Sequence, residues 1–283
     1  MGFRGYVVSD SDAVEYLYSK HKTAKDMKEA VRQSVEAGLN VRCTFRSPES
    51  YVLPLRELIQ EGGLSMETID NRVRDILRVK FLTGLFDAPY QTDLALADKE
   101  VNSEVHQQVA LQASREGLVL LKNDKNLLPL DKSKIQRIAV CGPNADEASF
   151  ALTHYGPVEV TTVLDGIKQQ VKEGTEVTYT KGCDLVDANW PESEIMPYPL
   201  TTEEKEGIQQ AVDNVKESDV AIVVLGGGIR TCGENKSRTS LDLPGRQQQL
   251  LEAIVETGKP VVLVLINGRP LSINWADKFV PAI

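Results

Sequence analysis

Two carboxylates stand where a short apolar run of the sequence stops. Residues 6–9 read Tyr-Val-Val-Ser, and Asp10, Ser11 and Asp12 follow them directly. An apolar, β-branched run of this length is typical of a buried parallel strand. Because α/β proteins build their sites in the loops at the carboxyl ends of parallel strands, this position favours chemistry over simple solvation. The alternative is that Asp10 only caps the helix or turn that follows.

A further carboxylate lies in a polar, glycine-flanked loop of the second half of the chain. Glu234 follows Gly233 and comes shortly after the apolar run 220–225. A positioned carboxyl group can act as a general acid and then as a general base. The alternative is an ordinary loop carboxylate exposed to solvent.

Composition excludes several classes of partner. The 283 residues exceed one average domain, which favours two domains, and 41 acidic against 32 basic residues give a net charge of −9. An extended phosphate backbone would be repelled on average, so nucleic acid is not an expected partner. No apolar run approaches the roughly 18–20 residues of a membrane span, so a membrane is not expected either.

The cysteines and histidines show no ligand spacing. The four cysteines have no C-x-x-C pair and are expected to be buried free thiols: Cys43, Cys141, Cys183 and Cys232. The three histidines fall in no metal-binding pattern: His21, His106 and His154. Neither a metal nor a cofactor is implied.

The order of periodic segments predicts an α/β chain. In the first part, strands at 6–9 and 39–43 flank a helix through Ala37, and helices follow at 53–60 and 66–82. The last of these helices carries an apolar stripe that predicts one buried face: Ile69, Val73, Ile76, Leu77 and Phe81. Residues 86–102 lose this periodicity and predict a linker.

The second part alternates strands and helices. A helix at 104–116 leads into the apolar run 118–121, and strand-like runs follow at 137–140, 220–225 and 261–266. Helices predicted at 203–217 and 247–257 alternate with them. This alternation predicts a parallel sheet covered by helices on both faces. The apolar run 279–283 predicts a last strand with an unpaired edge.

Several motifs in a fixed order carry a resemblance to a known family. They are residues 2–10 (GFRGYVVSD), 37–41 (AGLNV), 118–123 (LVLLKN), 141–146 (CGPNAD), 233–238 (GENKSR), 241–247 (LDLPGRQ) and 266–270 (INGRP). Together they cover essentially the whole chain and resemble glycoside hydrolase family 3, of the β-glucosidase and β-xylosidase type. By this resemblance, the chain looks like an internal piece that lacks most of the N-terminal barrel and the end of the second domain.

The resemblance implies an architecture for each part of the chain. Residues 1–85 would be the last portion of a TIM-type (β/α)8 catalytic barrel. Residues 86–133 would be a linker and connecting helix. Residues 134–283 would be an incomplete α/β/α sandwich with a mostly parallel sheet.

The resemblance also implies roles for five residues. Asp10 would be the nucleophile and Glu234 the acid/base of a retaining exo-β-glycosidase, which needs no cofactor. Ser11, Asp12 and Arg238 would bind substrate, with Asp12 as support for the loop as the alternative. Asn235 and Ser237 depart from the usual Gly and Asp, and Ser11 stands where many β-glucosidases have Trp.

These departures leave the sugar open between β-D-xylose and β-D-glucose. Ser11, and Cys43 where many β-glucosidases carry an acidic residue and Met, favour the xylosidase-like branch. The expected partner is a small plant oligosaccharide or an aryl glycoside. A periplasmic or secreted location is implied by the resemblance, and a homo-oligomer is allowed. Two alternatives stay open: a non-catalytic carbohydrate-binding or structural piece, and a nucleotide-binding α/β domain based on Gly226-Gly227-Gly228.

Overall fold

The chain divides into two compact units. The computed structural model describes residues 2–89, 93–148 and 160–283, so His154 and residues 90–92 of the predicted linker lie outside the described residues. The units are Met1–Ala110 and Leu111–Ile283. This division falls inside the segment 86–133, and the finer predicted boundaries stay predictions.

The first unit consists mainly of helices. They are α1 (Ala13–Ser19), α2 (Met27–Glu36), α3 (Glu49–Gln60), α4 (Met66–Leu82), α5 (Leu94–Glu100) and α6 (Glu104–Gly117), which continues into the second unit. Side chains of Asp26 and Ser65 accept hydrogen bonds from the first turns of α2 and α4. Each such cap stabilises its helix by about 1 kcal/mol. The sequence predicted the bounds of α4 correctly and missed α1 and α5.

The predicted β-α-β step is present in a short form. Val8 and Val41 form a parallel bridge, and the Ser9 amide donates to the Val41 carbonyl at 2.9 Å. The prediction of a buried strand was wrong, because Val7 and Val8 are 47% and 49% exposed. In the part of the chain that the structure describes, this segment has a bridge partner on one side only, so its other edge is unpaired.

The apolar stripe of α4 is also more exposed than predicted. Ile69 packs against the buried cluster formed by α2 and α3, whereas Val73, Leu77 and Phe81 are exposed. Periodicity shows which face of a helix is apolar but does not supply the element that covers it. The predicted buried face of α4 was therefore wrong over its C-terminal half in the described structure.

A parallel sheet forms the centre of the second unit. Its described strands are β1 (Arg137–Cys141), β2 (Glu176–Thr180), β3 (Val220–Gly226) and β4 (Val261–Ile266), in the order β2-β1-β3-β4. All neighbouring pairs are parallel. This confirms the predicted α/β class and parallel sheet. Strand β2 was missed because three of its five residues are polar: Glu176, Thr178 and Thr180.

Helices and loop segments cover both faces of this sheet. Besides the end of α6, the described helices of the unit are α7 (Val163–Gln170), α8 (Thr202–Lys216), α9 (Gln247–Val255) and α10 (Asn274–Phe279). Strand β3 is buried throughout. Alternate β3 residues face two separate clusters: Val223 belongs to the one that includes α8 and α9, and Val224 to the one that includes α7. The continuous apolar run at 220–225 reflects this burial on both faces.

The end of the chain adds to the edge of the sheet. Ala282 bridges Val262 in parallel and Asn123 in antiparallel orientation, and the Leu263 amide donates to the Ala282 carbonyl at 2.9 Å. The predicted unpaired edge was therefore wrong at Ala282. The apolar run 118–121 is exposed and forms no strand.

The four thiols differ in accessibility. All are free, and Cys141 and Cys183 are buried, whereas Cys43 is exposed and Cys232 is half-buried. The expectation of a buried thiol was therefore wrong for Cys43. Burial raises the pKa of the Cys141 and Cys183 thiols to about 12.

This difference predicts a labelling pattern. Because the thiolate is the reactive form, a raised pKa suppresses alkylation of Cys141 and Cys183 at neutral pH. Iodoacetamide should modify Cys43 rapidly, Cys232 more slowly, and the other two only after denaturation. Peptide mass spectrometry of the chain labelled with and without urea checks this order. Labelling of Cys141 as fast as Cys43 in the folded chain would contradict it.

Candidate active site

Asp10 lies in an exposed turn between the Val8–Val41 bridge and α1. One carboxylate oxygen accepts from the adjacent Ser11 amide at 2.7 Å, and the Asp10 carbonyl accepts from the Ala13 amide at 3.2 Å. The N-cap of α1 is Asp12, in the left-handed region with φ 57° and no side-chain capping bond. Asp10 is therefore not the N-cap residue of α1, whereas its bond to the Ser11 amide leaves the alternative of a turn-capping carboxylate open.

Residues 43 and 44 hold this turn on both sides of Asp10. The Cys43 amide donates to Ser9 Oγ at 2.9 Å, and the Asp12 amide donates to the Cys43 carbonyl at 3.2 Å. Thr44 Oγ1 donates to Asp12 Oδ1 at 2.6 Å. The carboxylate of Asp10 is thus presented by a backbone fixed at the residues before and after it.

The predicted substrate-binding residues Ser11 and Asp12 lie beside Asp10. Ser11 Oγ and Cys43 Sγ are 3.7 Å apart. The Asp12 carboxylate contacts Arg46 Nε at 3.5 Å in addition to Thr44. Asp12 therefore supports the loop, and its predicted contact with substrate stays a prediction.

A buried ion pair lies beneath this turn. Glu15 of α1 and Arg42 form a short hydrogen-bonded contact, and their side chains are 3% and 4% exposed. Arg42 also donates to Ser50 Oγ at 2.9 Å and lies over the Tyr51 ring at 5.4 Å. This pair was not predicted from the sequence, since α1 itself was not predicted. A charged residue three positions after Asp12, next to the buried Val14, was the available signal.

The loop that carries Glu234 starts from a tightly packed strand end. Gly226 closes β3 with φ 138°, where an added Cβ would lie 2.0 Å from the Ile266 carbonyl oxygen. Gln247 accepts from the Gly226 amide at 2.7 Å and donates to its carbonyl at 2.9 Å. Asn144 donates to the Gly227 carbonyl at 2.9 Å. Two motif residues, Asn144 and Gln247, therefore fix the strand end from which the loop departs.

Glu234 is exposed at the tip of that loop. It stands between Gly233, with φ 137°, and Asn235, with φ 60°. Asn tolerates the left-handed region better than most non-Gly residues, which explains how Asn235 occupies a position where the resemblance implies Gly. Arg269 donates to the carbonyls of Thr231 at 3.2 Å and Lys236 at 2.6 Å.

Arg238 makes its contacts within the protein. Its Nε donates to Glu194 Oε1 at 2.5 Å, both side chains are 5% exposed, and its Nη2 donates to the Asp242 carbonyl at 2.9 Å. Burial acts to raise the pKa of Glu194, but hydrogen bonds from Thr239 and Arg238 outweigh it and hold that pKa below its ordinary value. This ionised pair anchors the C-terminal end of the loop. The substrate-binding role of Arg238 stays a prediction.

The structure thus groups the five predicted residues in two sets. Asp10, Ser11 and Asp12 share one turn of the first unit, and Glu234 and Arg238 share one loop of the second. The glycine run that prompted the nucleotide alternative makes internal bonds: the Gly226, Gly227 and Gly228 amides bind Gln247, the Ile266 carbonyl and Thr231. The described residues contain no cluster of His, Cys, Asp and Glu suited to a metal ion. None of the described helices combines the length and hydropathy of a membrane span.

Two curated proteins and one solved structure resemble this chain over its full length. A β-xylosidase of Formosa agariphila is 36% identical over 100% of this chain, which covers 39% of that protein. A periplasmic β-glucosidase of Salmonella typhimurium is 35% identical over 100% of this chain and 38% of its own length. The structure of a β-glucosidase from Erythrobacter marinus superposes with a TM-score of 0.84 at 33% identity, covering 100% of this chain and 39% of that one. The chain therefore spans well under half of the relatives it matches.

Two family models match the two parts of the chain. The N-terminal domain model of glycosyl hydrolase family 3 matches residues 1–79. The C-terminal domain model of the same family matches residues 118–283. The matched ranges contain the Asp10 turn and the Glu234 loop, respectively. The chain therefore belongs to glycosyl hydrolase family 3.

Proposed function

We propose that the full-length protein containing this chain is a retaining exo-acting β-glycosidase. It would remove terminal, non-reducing β-D-xylosyl or β-D-glucosyl residues from plant oligosaccharides. The observation that carries this proposal is the exposed Asp10 carboxylate, presented at the end of a paired segment by a backbone fixed on both sides. The membership of the chain in the family supports it.

The proposed mechanism has two displacements. Asp10 attacks the anomeric carbon while Glu234 protonates the glycosidic oxygen, so the sugar–oxygen bond breaks and a glycosyl ester forms on Asp10. Glu234, now a carboxylate, takes a proton from water, which attacks the anomeric carbon and releases the sugar with retention. Retaining enzymes hold such carboxyl groups about 5–5.5 Å apart. Neither step needs a cofactor.

The choice of sugar is proposed from the residues beside Asp10. Ser11 and Cys43 are two positions at which the chain departs from many β-glucosidases, and the structure places their side chains 3.7 Å apart. One small surface next to the nucleophile therefore combines both departures, which supports a β-xyloside preference. A missing hydroxymethyl group changes pocket contacts by only about 1–3 kcal/mol, so β-glucosides are also proposed substrates. The names of the two relatives span the same pair of sugars.

The compartment is proposed from a relative alone. The Salmonella typhimurium relative is named as a periplasmic enzyme. We accordingly place this enzyme in the periplasm or outside the cell, where plant oligosaccharides are encountered. The partner of the site is a small oligosaccharide or an aryl glycoside.

Stereochemistry and sugar preference test the proposed function. The full-length protein is incubated with 4-nitrophenyl β-D-xyloside and β-D-glucoside, and proton NMR follows the anomer that forms first. The β-anomer should appear first, before mutarotation, and the xyloside should be hydrolysed with the higher kcat/KM. Initial release of the α-anomer would rule out the double displacement. Sugar binding without hydrolysis would instead support the carbohydrate-binding alternative.

A further inference from the structure

A single guanidinium group bridges the two ends of the segment that carries Glu234. Arg269 Nε donates to the Thr231 carbonyl at 3.2 Å, and Arg269 Nη2 donates to the Lys236 carbonyl at 2.6 Å. Thr231 precedes Glu234 and Lys236 follows it. The arginine side chain therefore fixes the distance between the two points at which the Glu234 tip leaves the body of the loop.

Within the described structure, the other hydrogen bonds of this segment are local. The Cys232 amide donates to the Gly228 carbonyl at 2.9 Å, and the Lys236 amide donates to the Gly233 carbonyl at 3.2 Å. Gly233 and Asn235, on either side of Glu234, both have positive φ. Such a tip has a backbone with several accessible conformations when it is not held from outside. The Arg269 side chain, which comes from outside this segment, restricts these conformations through its two hydrogen bonds.

Arg269 is itself carried by a rigid part of the fold. It follows β4, which pairs with β3 up to Gly226 and Ile266. The Asn267 side chain donates to the Arg269 carbonyl at 2.5 Å, which fixes the backbone at Arg269. A side chain is oriented precisely only when the backbone that carries it is held in place, and these contacts hold the backbone of Arg269.

We propose that Arg269 is a positioning residue for the carboxyl group of Glu234. It acts through the backbone of residues 231–236 and holds the acid in the orientation that delivers a proton to the leaving oxygen. This inference rests on the proposed role of Glu234. Removal of the Arg269 guanidinium group should impair proton delivery in particular, rather than every step equally.

Leaving-group dependence distinguishes this role from a merely structural one. Phenyl glycosides need protonation of the departing oxygen, whereas 2,4-dinitrophenyl glycosides depart as stable anions without it. Since general acid catalysis contributes about 10²–10⁴-fold, Arg269→Gln should lower kcat/KM for the phenyl β-glycoside about 30-fold. It should lower kcat/KM for the 2,4-dinitrophenyl β-glycoside by less than about 3-fold. Arg269→Lys, which keeps the charge and can bind one carbonyl, should fall between Arg269→Gln and the unchanged protein.

The experiment uses the full-length protein and the sugar that it hydrolyses faster. Glu234→Gln serves as the benchmark, and Arg230→Gln removes a second arginine from the same loop without touching the carbonyls of residues 231 and 236. Arg230→Gln should show equal, small changes with both leaving groups. Circular dichroism confirms that each variant is folded, and Arg269→Lys provides the comparison if Arg269→Gln is not.

Two contrary outcomes have different meanings. If Glu234→Gln shows a strong leaving-group dependence while the Arg269 variants change both substrates equally or not at all, the positioning role is overturned and the proposed function stands. If Glu234→Gln itself shows no such dependence, the assignment of the acid/base fails and the inference about Arg269 fails with it.

Discussion

Replacing Asp10 by Asn should lower kcat of the full-length protein by at least about 10⁴-fold, because the amide cannot form the glycosyl ester. The substitution keeps the size of the side chain. The Ser11 amide can still donate to the remaining carbonyl oxygen, as it does to the carboxylate at 2.7 Å. The fold of the turn should therefore survive while the chemistry does not. Initial rates with the nitrophenyl β-xyloside and β-glucoside measure the loss.

A matched control separates this effect from a change of charge. Asp87 is an exposed carboxylate of the same unit, and Asp87→Asn should leave kcat within about twofold of the unchanged protein. Near-normal turnover by Asp10→Asn would remove Asp10 from the mechanism. Unchanged circular dichroism in both variants excludes unfolding as the cause.

Glu15→Gln should destabilise the first unit by about 3–5 kcal/mol, the cost of breaking a buried ion pair on one side. Arg42 is 4% exposed and would keep its charge without the carboxylate that neutralises it. The hydroxyl and ring contacts of Arg42 with Ser50 and Tyr51 do not replace that charge. Since α1 connects directly to the Asp10 turn, the loss should also loosen the turn.

Urea unfolding of the chain with two optical signals measures this cost. Both tryptophans, Trp190 and Trp275, belong to the second unit, so their fluorescence reports that unit, whereas far-ultraviolet circular dichroism reports both. The part of the dichroism transition that comes from the first unit should move to a lower urea concentration. The fluorescence transition of the second unit should stay unchanged and serves as the internal reference.

Two further variants show whether the buried charge is the cause. Glu36→Gln breaks the more exposed contact between Arg32 and Glu36 and should leave the transition nearly unchanged. Replacing both members, by Glu15→Leu with Arg42→Met, should cost less than Glu15→Gln alone, because no charge is left buried without a partner. If Glu15→Gln matched Glu36→Gln in stability, the buried pair would not hold the turn.

Local patterns predicted the elements that carry strong periodicity. The apolar run at 220–225 is continuous because β3 is buried on both faces, and the stripe of α4 marks its full length. Strand β2 reads Glu-Val-Thr-Tyr-Thr and has no fully buried residue, so its apolar pattern was weak. Helix α1 was missed because the buried Glu15 interrupts its apolar face.

Burial was harder to predict than element type. A strand-like or helical pattern specifies an apolar face, and the prediction assumed that another element covers it. At Val7 and Val8, and along the C-terminal half of α4, the described structure provides no such cover. The expected burial at these residues was wrong for that reason.

The candidate site shows the same division between local and long-range information. The resemblance of short motifs to the family was enough to nominate Asp10 and Glu234, since each lies in a short segment of distinctive sequence. The residues that hold them come from elsewhere in the chain: Thr44 and Arg42 for the first turn, Arg269 for the second loop. Their contacts depend on which segments pair in the fold, and no local pattern contains that information.

Covalent trapping tests the central claim most directly. A 2-deoxy-2-fluoro β-xyloside or β-glucoside with a 2,4-dinitrophenyl leaving group should form the glycosyl ester and release it slowly, because the fluorine destabilises the positively charged transition state. Mass spectrometry of the digested full-length protein should then show one added fluorosugar per chain, on the peptide that contains Asp10. A label on any other residue, or release of the fluorosugar with inverted configuration and no label, would contradict the account.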